Sequence, residues 1–300
     1  IDGGNHNYEA ISLLRWMNQA VYSAFPKVMT IAEESTSFAK VSRPVDMDGL
    51  GFGFKWNMGW MHDSLHYIAK DPAYRRYHHN DITFSMVYAF DENFVLPISH
   101  DEVVYGKGSL LGKMPGDEWQ QAANLRTYAG FMYAHPGKKL NFMGNEFAQY
   151  KEWDHDGQLD WDLLQYDKHQ QIQTLYKTLN HLYADYPALH ACDHEHHGFA
   201  WLTHDDAERS ILSFKRIDPK TQQTIYVLCN FTPVPVDNVH IGVSAGQYRC
   251  LLNTDAIEFG GSGFAIPDTL SANEFESHGQ AHSIAFTLPP LSTMFWIAQD

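Results

Sequence analysis

Val28-Met29-Thr30-Ile31-Ala32 runs straight into Glu33-Glu34-Ser35-Thr36, and Phe94-Val95-Leu96-Pro97-Ile98-Ser99 runs into His100-Asp101-Glu102. A β-branched run that stops at carboxylates reads as a buried strand whose carboxyl end opens on a polar crevice. In parallel α/β folds that end of the sheet is where chemistry is done. Two such ends in one chain point to a site built from several strand tips. One carboxyl group would serve as acid and another as base, nucleophile or charge stabiliser.

The segments around these runs alternate helix and strand. Ile11, Leu14, Met17 and Val21 recur at helical spacing between Asn7 and Phe25, and Pro26 ends that helix. Leu50 to Phe54 reads as a short strand leading into Lys55-Trp56-Asn57, followed by a helix from about Trp60 to Lys70. Pro115, Asp117 and Glu118 have the character of a helix N-terminus. That helix runs to about Tyr133 and stops at Pro136-Gly137. Lys139 to Met143 is a further buried strand ending in Gly144-Asn145-Glu146, and Lys168 to Ala184 is a long amphipathic helix. Four parallel strands with helices make about half of a (β/α)₈ barrel, which needs about 250 residues when complete.

The texture changes near residue 195. Short β-rich runs then dominate, at Phe199–Thr203, Ser210–Arg216, Thr224–Asn230, Tyr248–Leu252, Ser283–Leu288 and Met294–Ala298, separated by Pro- and Gly-rich turns. This spacing predicts an antiparallel β-sandwich. The expected organisation is therefore a partial barrel over 1–195 and an all-β domain over 196–300.

Composition narrows the partners. A formal charge of −15 over 300 residues argues against nucleic acid and anionic membrane surfaces, while a neutral substrate remains compatible. Aromatic residues make up 14% of the chain, with 8 Trp and 16 Tyr, enough to stack on sugar rings as well as to fill a core. Cys192, Cys229 and Cys250 form no C-x-x-C pair and read as reduced thiols of a cytoplasmic protein. No apolar stretch approaches the roughly 18 residues of a membrane span. The opening Ile1-Asp2-Gly3-Gly4-Asn5 reads as loop, without signal peptide or initiator Met, as though cut from a longer chain.

Several side chains compete for a chemical role. Glu33 could be a solvated loop carboxylate or a catalytic one, and its position after a strand favours the second when a matching His100-Asp101 lies after another. His62 and His66 have the i, i+4 spacing of metal ligands, but Asp63 stands where H-E-x-x-H would have Glu, and the other expected ligands are absent from the pattern. Gly106-Lys107-Gly108 resembles a fragment of a phosphate loop without the full motif. Trp56, Trp60, Trp153 and Trp161 fall in segments at the strand tips and suggest a sugar platform.

A family resemblance joins these residues. Ala32-Glu33-Glu34-Ser35-Thr36, Phe54-Lys55-Trp56-Asn57-Met58-Gly59-Trp60-Met61-His62-Asp63, Leu96-Pro97-Ile98-Ser99-His100-Asp101-Glu102-Val103-Val104 and Met143-Gly144-Asn145-Glu146-Phe147-Ala148-Gln149 resemble the bacterial 1,4-α-glucan branching enzymes of glycoside hydrolase family 13. The similarity continues through Leu159-Asp160-Trp161, Asn230-Phe231-Thr232-Pro233-Val234-Pro235 and Leu288-Pro289-Pro290-Leu291. It implies an α-amylase-type barrel followed by a β-sandwich. It also implies retaining cleavage of an α-1,4 glucan bond with transfer to a 6-hydroxyl, no metal and no organic cofactor.

By the resemblance, Glu33 matches the general acid/base and Asp101 the carboxylate that stabilises the oxocarbenium-like transition state. His100 matches a histidine that hydrogen-bonds the sugar, and Trp56, Lys107 and Asn145 are candidate substrate contacts. Two carboxylates alone would have suggested Asp101 as nucleophile. In the family the nucleophile is a separate Asp in a G-F-R-x-D motif, at the tip of the preceding strand, and these 300 residues do not contain that motif. The four strands would then be the fifth to eighth of the barrel, and the chain alone would be inactive. A related α-glucan hydrolase, a non-catalytic glucan-binding module and a metalloenzyme built on the His pairs are the competing readings.

Overall fold

Asn7, Asn57 and Asp117 each accept a hydrogen bond from a backbone N–H three residues on, and each opens a helix. The computed structural model describes residues 3–299. Its first part runs α1 (Tyr8–Ala24), β1 (Ile31–Ala32), β2 (Phe54–Trp56), α2 (Met58–Ile68), α3 (His79–Thr83), β3 (Phe94–Ile98), α4 (Glu118–Ala134), β4 (Lys138–Asn141) and α5 (Asp167–Asp185). The second part holds β5 (Phe199–Asp206), β6 (Ile211–Asp218), β7 (Gln223–Asn230), β8 (Val236–Val243), β9 (Gln247–Asn253), β10 (Thr269–Ser271), β11 (His282–Leu288) and β12 (Ser292–Ala298). Among the described residues no helix is long and apolar enough to cross a membrane.

The first sheet is parallel, in the order β1-β2-β3-β4. Its register pairs Ile31 with Phe54 and Trp56 with Val95. Strand alternation therefore sets Ile31, Phe54, Trp56 and Val95 on one face, and Ala32, Lys55, Leu96 and Ile98 on the other. Leu96 and Ile98 are fully buried in a core shared with α2, α4 and α5. The opposite face is less covered. An apolar hollow of about 750 Å³ is lined there by Met29, Ile31, Phe54, Val95 and Leu140.

Here the structure corrects the expectation of buried strands. Only Ile31–Ala32 of the first run is paired, and Met29 and Ile31 are 68% and 43% exposed. β1 is an edge strand with a neighbour on one side only, so its apolar residues lack the cover that their type suggests. β4 is the other edge, and all four of its residues are half-buried. The second strand lies at Phe54–Trp56 rather than Leu50–Phe54, because Gly51 takes φ +81° and holds the preceding segment in a loop.

The second part is a sandwich of unequal sheets, β10-β9-β12-β7-β6-β5 against β11-β8. Successive residues of its central strands serve different cores. Ile225, Val227, Cys229, Phe295 and Ile297 join the core around α4, whereas Tyr226, Leu228, Met294 and Trp296 pack with Ile241, Ile284 and Leu288 between the two sheets. Burial on both faces explains why β7 and β12 read as continuous apolar runs. The sequence pattern predicts neither β8 nor the three-residue β10. Among the described residues β8 is an edge strand paired only with β11, and Asp237 and Asn238 break its alternation, the latter at φ +55°.

Helix α4 lies between the first sheet and the large β-sheet, and every residue from Ala123 to Ala134 is buried. Gly130 permits the approach, since a Cβ there would stand 2.7 Å from that of Thr293. Three buried arginines tie the two parts together. Arg75 donates to the Phe231 carbonyl (2.7 Å) and to Asn124, and Arg126 donates to the Thr254 carbonyl. Arg216 donates to the Ala134 carbonyl and meets Asp193 at 2.6 Å, with both of those side chains fully buried. Burial alone would raise the Asp193 pKa, but Arg216, Lys139 and Lys138 outweigh it and hold the carboxyl at about 2.

Candidate active site

The carboxyl ends of the four parallel strands carry the candidate residues in strand order. Glu33 follows β1, Trp56 ends β2, His100 and Asp101 follow β3, and Asn145 follows β4. Glu33 is exposed and, by alternation, continues the face of Ile31 and Trp56. Its neighbour Glu34 turns to the other face, where its carboxylate meets Lys55 Nζ at 2.7 Å. Partial burial raises the Glu34 pKa, but Lys55 and the Thr36 N–H outweigh that and leave it lowered. Consecutive glutamates thus have separate tasks, one open to solvent and one neutralised.

His100 and Asp101 sit in a 3₁₀ turn, His100–Glu102, closed by a capping box. The Asp101 N–H donates to Ser99 Oγ, and the Glu102 carboxylate accepts the Ser99 N–H. His100 Nε2 lies 3.1 Å from Asp101 Oδ1, with both side chains about half-exposed. The His100 ring rests edge-on against Trp153, which also packs on Phe142. The sequence signature of this box is Ser99-x-x-Glu102, which gives Glu102 a structural role beside the candidate site.

Lys107 is exposed in the loop beyond this turn. The N–H groups of Gly106 and Gly108 converge at 3.0 and 2.6 Å on the carboxylate of Glu152, and these bonds lower its pKa. The phosphate-loop fragment is therefore an anion nest already filled by the protein's own carboxylate. The same pairing, with a bridge between Val104 and Trp153, knits the loop after β3 to the loop after β4. Asn145 is 5% exposed and its Nδ2 has no hydrogen-bond partner among the described residues, an orphan donor beside the strand tip. The turn around it needs Gly144 at φ +94° and Ala148 at φ +57°.

The four-tryptophan platform does not form. Trp60 is 1% exposed inside α2, stacked on Tyr128 and beside His135, because the helix begins at Met58 and turns that side chain into the core. Trp56 remains partly exposed, and Trp161 stacks on Phe147 with 46% exposure. Among the described residues, three groups offer ligand atoms close enough for a metal ion: His66, His78 and Asp81; Cys192, Glu195 and His197; and Asp154, His155 and Asp156. None includes Glu33 or Asp101.

A parallel sheet with polar tips, backed by helices and followed by an antiparallel sandwich, is an arrangement this chain shares with the α-amylases. Residues 201–299 match the α-amylase C-terminal all-β domain. The structure superposes on an α-amylase from H. orenii (TM-score 0.63, 14% identity, covering 99% of this chain and 58% of that one). It also superposes on an α-amylase from Geobacillus thermoleovorans complexed with acarbose (TM-score 0.66, 14% identity, covering 97% and 57%). In sequence, the chain matches part of the bacterial 1,4-α-glucan branching enzymes. It is 66% identical to the 1,4-α-glucan branching enzyme GlgB of Pseudoalteromonas atlantica and 61% identical to that of Photobacterium profundum, over 98% of its length in each case. The chain spans 41% of the length of each of these relatives.

Proposed function

We propose that this chain supplies part of the active site of a 1,4-α-glucan branching reaction, with residues 1–195 as part of the catalytic barrel and 196–300 as its β-sandwich domain. Glu33 protonates the glycosidic oxygen as the α-1,4 bond breaks, and the sugar carbon passes to a carboxylate nucleophile contributed from outside these 300 residues. Glu33 then takes the proton of an acceptor 6-hydroxyl, whose oxygen displaces the nucleophile and forms the α-1,6 branch with net retention. Asp101 stabilises the oxocarbenium-like charge and His100 hydrogen-bonds the same sugar. Trp56 gives an apolar face, and Lys107 and the unpartnered Asn145 amide contact hydroxyls. The substrate is a cytoplasmic α-1,4-glucan such as glycogen.

The observation that carries this reading is the order of the candidates, one group at each of four adjacent parallel strand tips. Incubating the full-length protein with amylose tests it. New α-1,6 linkages with little gain in reducing ends are expected, and Glu33→Gln should reduce their formation by about 10³-fold. Reducing-end gain without branches would indicate a hydrolase instead, and a nearly active Glu33→Gln protein would refute the acid/base role.

A further inference from the structure

Away from the strand tips, α2 and the segment entering α3 bring three metal-ligating side chains together. His66 Nδ1 lies 2.8 Å from Asp81 Oδ2, and His78 Nδ1 lies 3.6 Å from the same oxygen. Ligand atoms of all three residues fall within 4.8 Å of one another. Tetrahedral Zn²⁺ with bonds of about 2.1 Å sets neighbouring donors roughly 3.4 Å apart, so small rotamer changes would close this set around one ion. The two imidazole rings meet edge-on with centroids 5.4 Å apart.

The surroundings favour a cation here. Arg76 is engaged by Glu208 and Tyr77, and Arg75 is buried on backbone carbonyls, so neither neutralises Asp81. His62, one turn before His66, lies parallel to it with centroids 6.3 Å apart and is 78% exposed. It stands at the rim, where a fourth ligand or a water would complete the shell. The His62/His66 spacing lacked further ligands in the sequence, and the fold supplies them from residues 78 and 81.

We propose that His66, His78 and Asp81 form a binding site for one late first-row divalent ion, with Zn²⁺ as the expected occupant, tying α2 to α3. Two imidazoles and a carboxylate suit Zn²⁺, Ni²⁺ or Cu²⁺ rather than Mg²⁺ or Ca²⁺, which favour all-oxygen shells. The site is structural and separate from the glucan chemistry.

Calorimetric titration of the metal-stripped full-length protein with Zn²⁺ tests the proposal, beside thermal unfolding with and without the ion. One equivalent should be lost in His66→Gln and in His78→Gln, and retained in His197→Gln, which disables the second candidate group. Zn²⁺ should raise the wild-type Tm by a few degrees and leave the Tm of the first two variants unchanged. Both histidines are substantially exposed, so these variants should fold, and Asp81→Asn provides an independent lesion. Absence of saturable binding, or the same stoichiometry in His66→Gln as in wild type, would overturn the site.

Discussion

The Glu34 carboxylate and the Lys55 ammonium lie 2.7 Å apart, on the face of the first sheet turned away from Glu33 and Trp56. Two adjacent glutamates should therefore respond in opposite ways to the same substitution. Glu33→Gln should remove nearly all branching in the full-length enzyme and leave its unfolding midpoint unchanged. Glu34→Gln should keep activity within a few-fold, while leaving the 8%-exposed Lys55 side chain without its counter-charge costs about 2 kcal/mol of stability. Parallel measurement of rate and denaturant midpoint separates the two.

Glu102 acts on the site through the turn that presents His100 and Asp101. Glu102→Ala should free the Ser99 N–H, let the turn shift, and lower kcat by about 10²-fold. Glu102→Gln should retain most of the activity, because its amide oxygen still accepts that N–H. Equal losses in the two variants would mean that the charge, not the turn, is what matters.

Asp193 predicts an acid dependence of stability. Its folded pKa of about 2 lies below the ordinary 3.8, so on acidification the unfolded chain takes up the proton first. Its contribution, about 2 kcal/mol, is present in full above the ordinary value and is lost as pH falls from about 4 towards about 2. Asp193→Asn should flatten the fall of the urea midpoint in that window. Near neutral pH it should cost about 3–5 kcal/mol, since it leaves buried Arg216 without its counter-ion.

At Gly130 the limit is space. A methyl group would meet Thr293 Cβ of β12 at 2.7 Å and Thr254 Cγ2, in the turn after β9, at 2.9 Å, and both residues are fully buried. Gly130→Ala should destabilise by about 1–2 kcal/mol, even against a helix-propensity gain of about 1 kcal/mol. Thermal unfolding of the single variant gives the sign.

The 300 residues expressed alone should leave the iodine stain of amylose unchanged. They contain Glu33 and Asp101 but no G-F-R-x-D nucleophile motif. They also expose Met29 and Ile31 along an unpaired strand edge, which favours aggregation. Light scattering and the iodine assay check the two parts of this prediction.

Burial decided what could be read in advance. Phe94–Ile98 was legible as a strand because all five residues are buried, and α4 because capping residues mark its start. The first run was over-read: an apolar sequence states what a residue prefers, not whether the fold covers it, and Met29 lies open. β8 escaped because an edge strand tolerates Asp237 and Asn238 where a central one would not. Trp60 misled for the opposite reason, since its polar neighbours Asn57, His62 and Asp63 occupy other faces of the same helix start. The strand-tip residues were found from the runs preceding them and from family likeness, whereas Glu102 and Glu152 act through backbone N–H groups whose convergence requires the folded loops.

Helix α4 has no solvent face over its last three turns, and the two parts of the molecule meet on it. They cannot pivot about the segment at residues 194–198 without stripping Arg75, Arg126 and Arg216 from their carbonyls. The β-sandwich is therefore not a detachable module. A recombinant exchange of residues 196–300 between distant relatives would have to carry matching α4 residues with it.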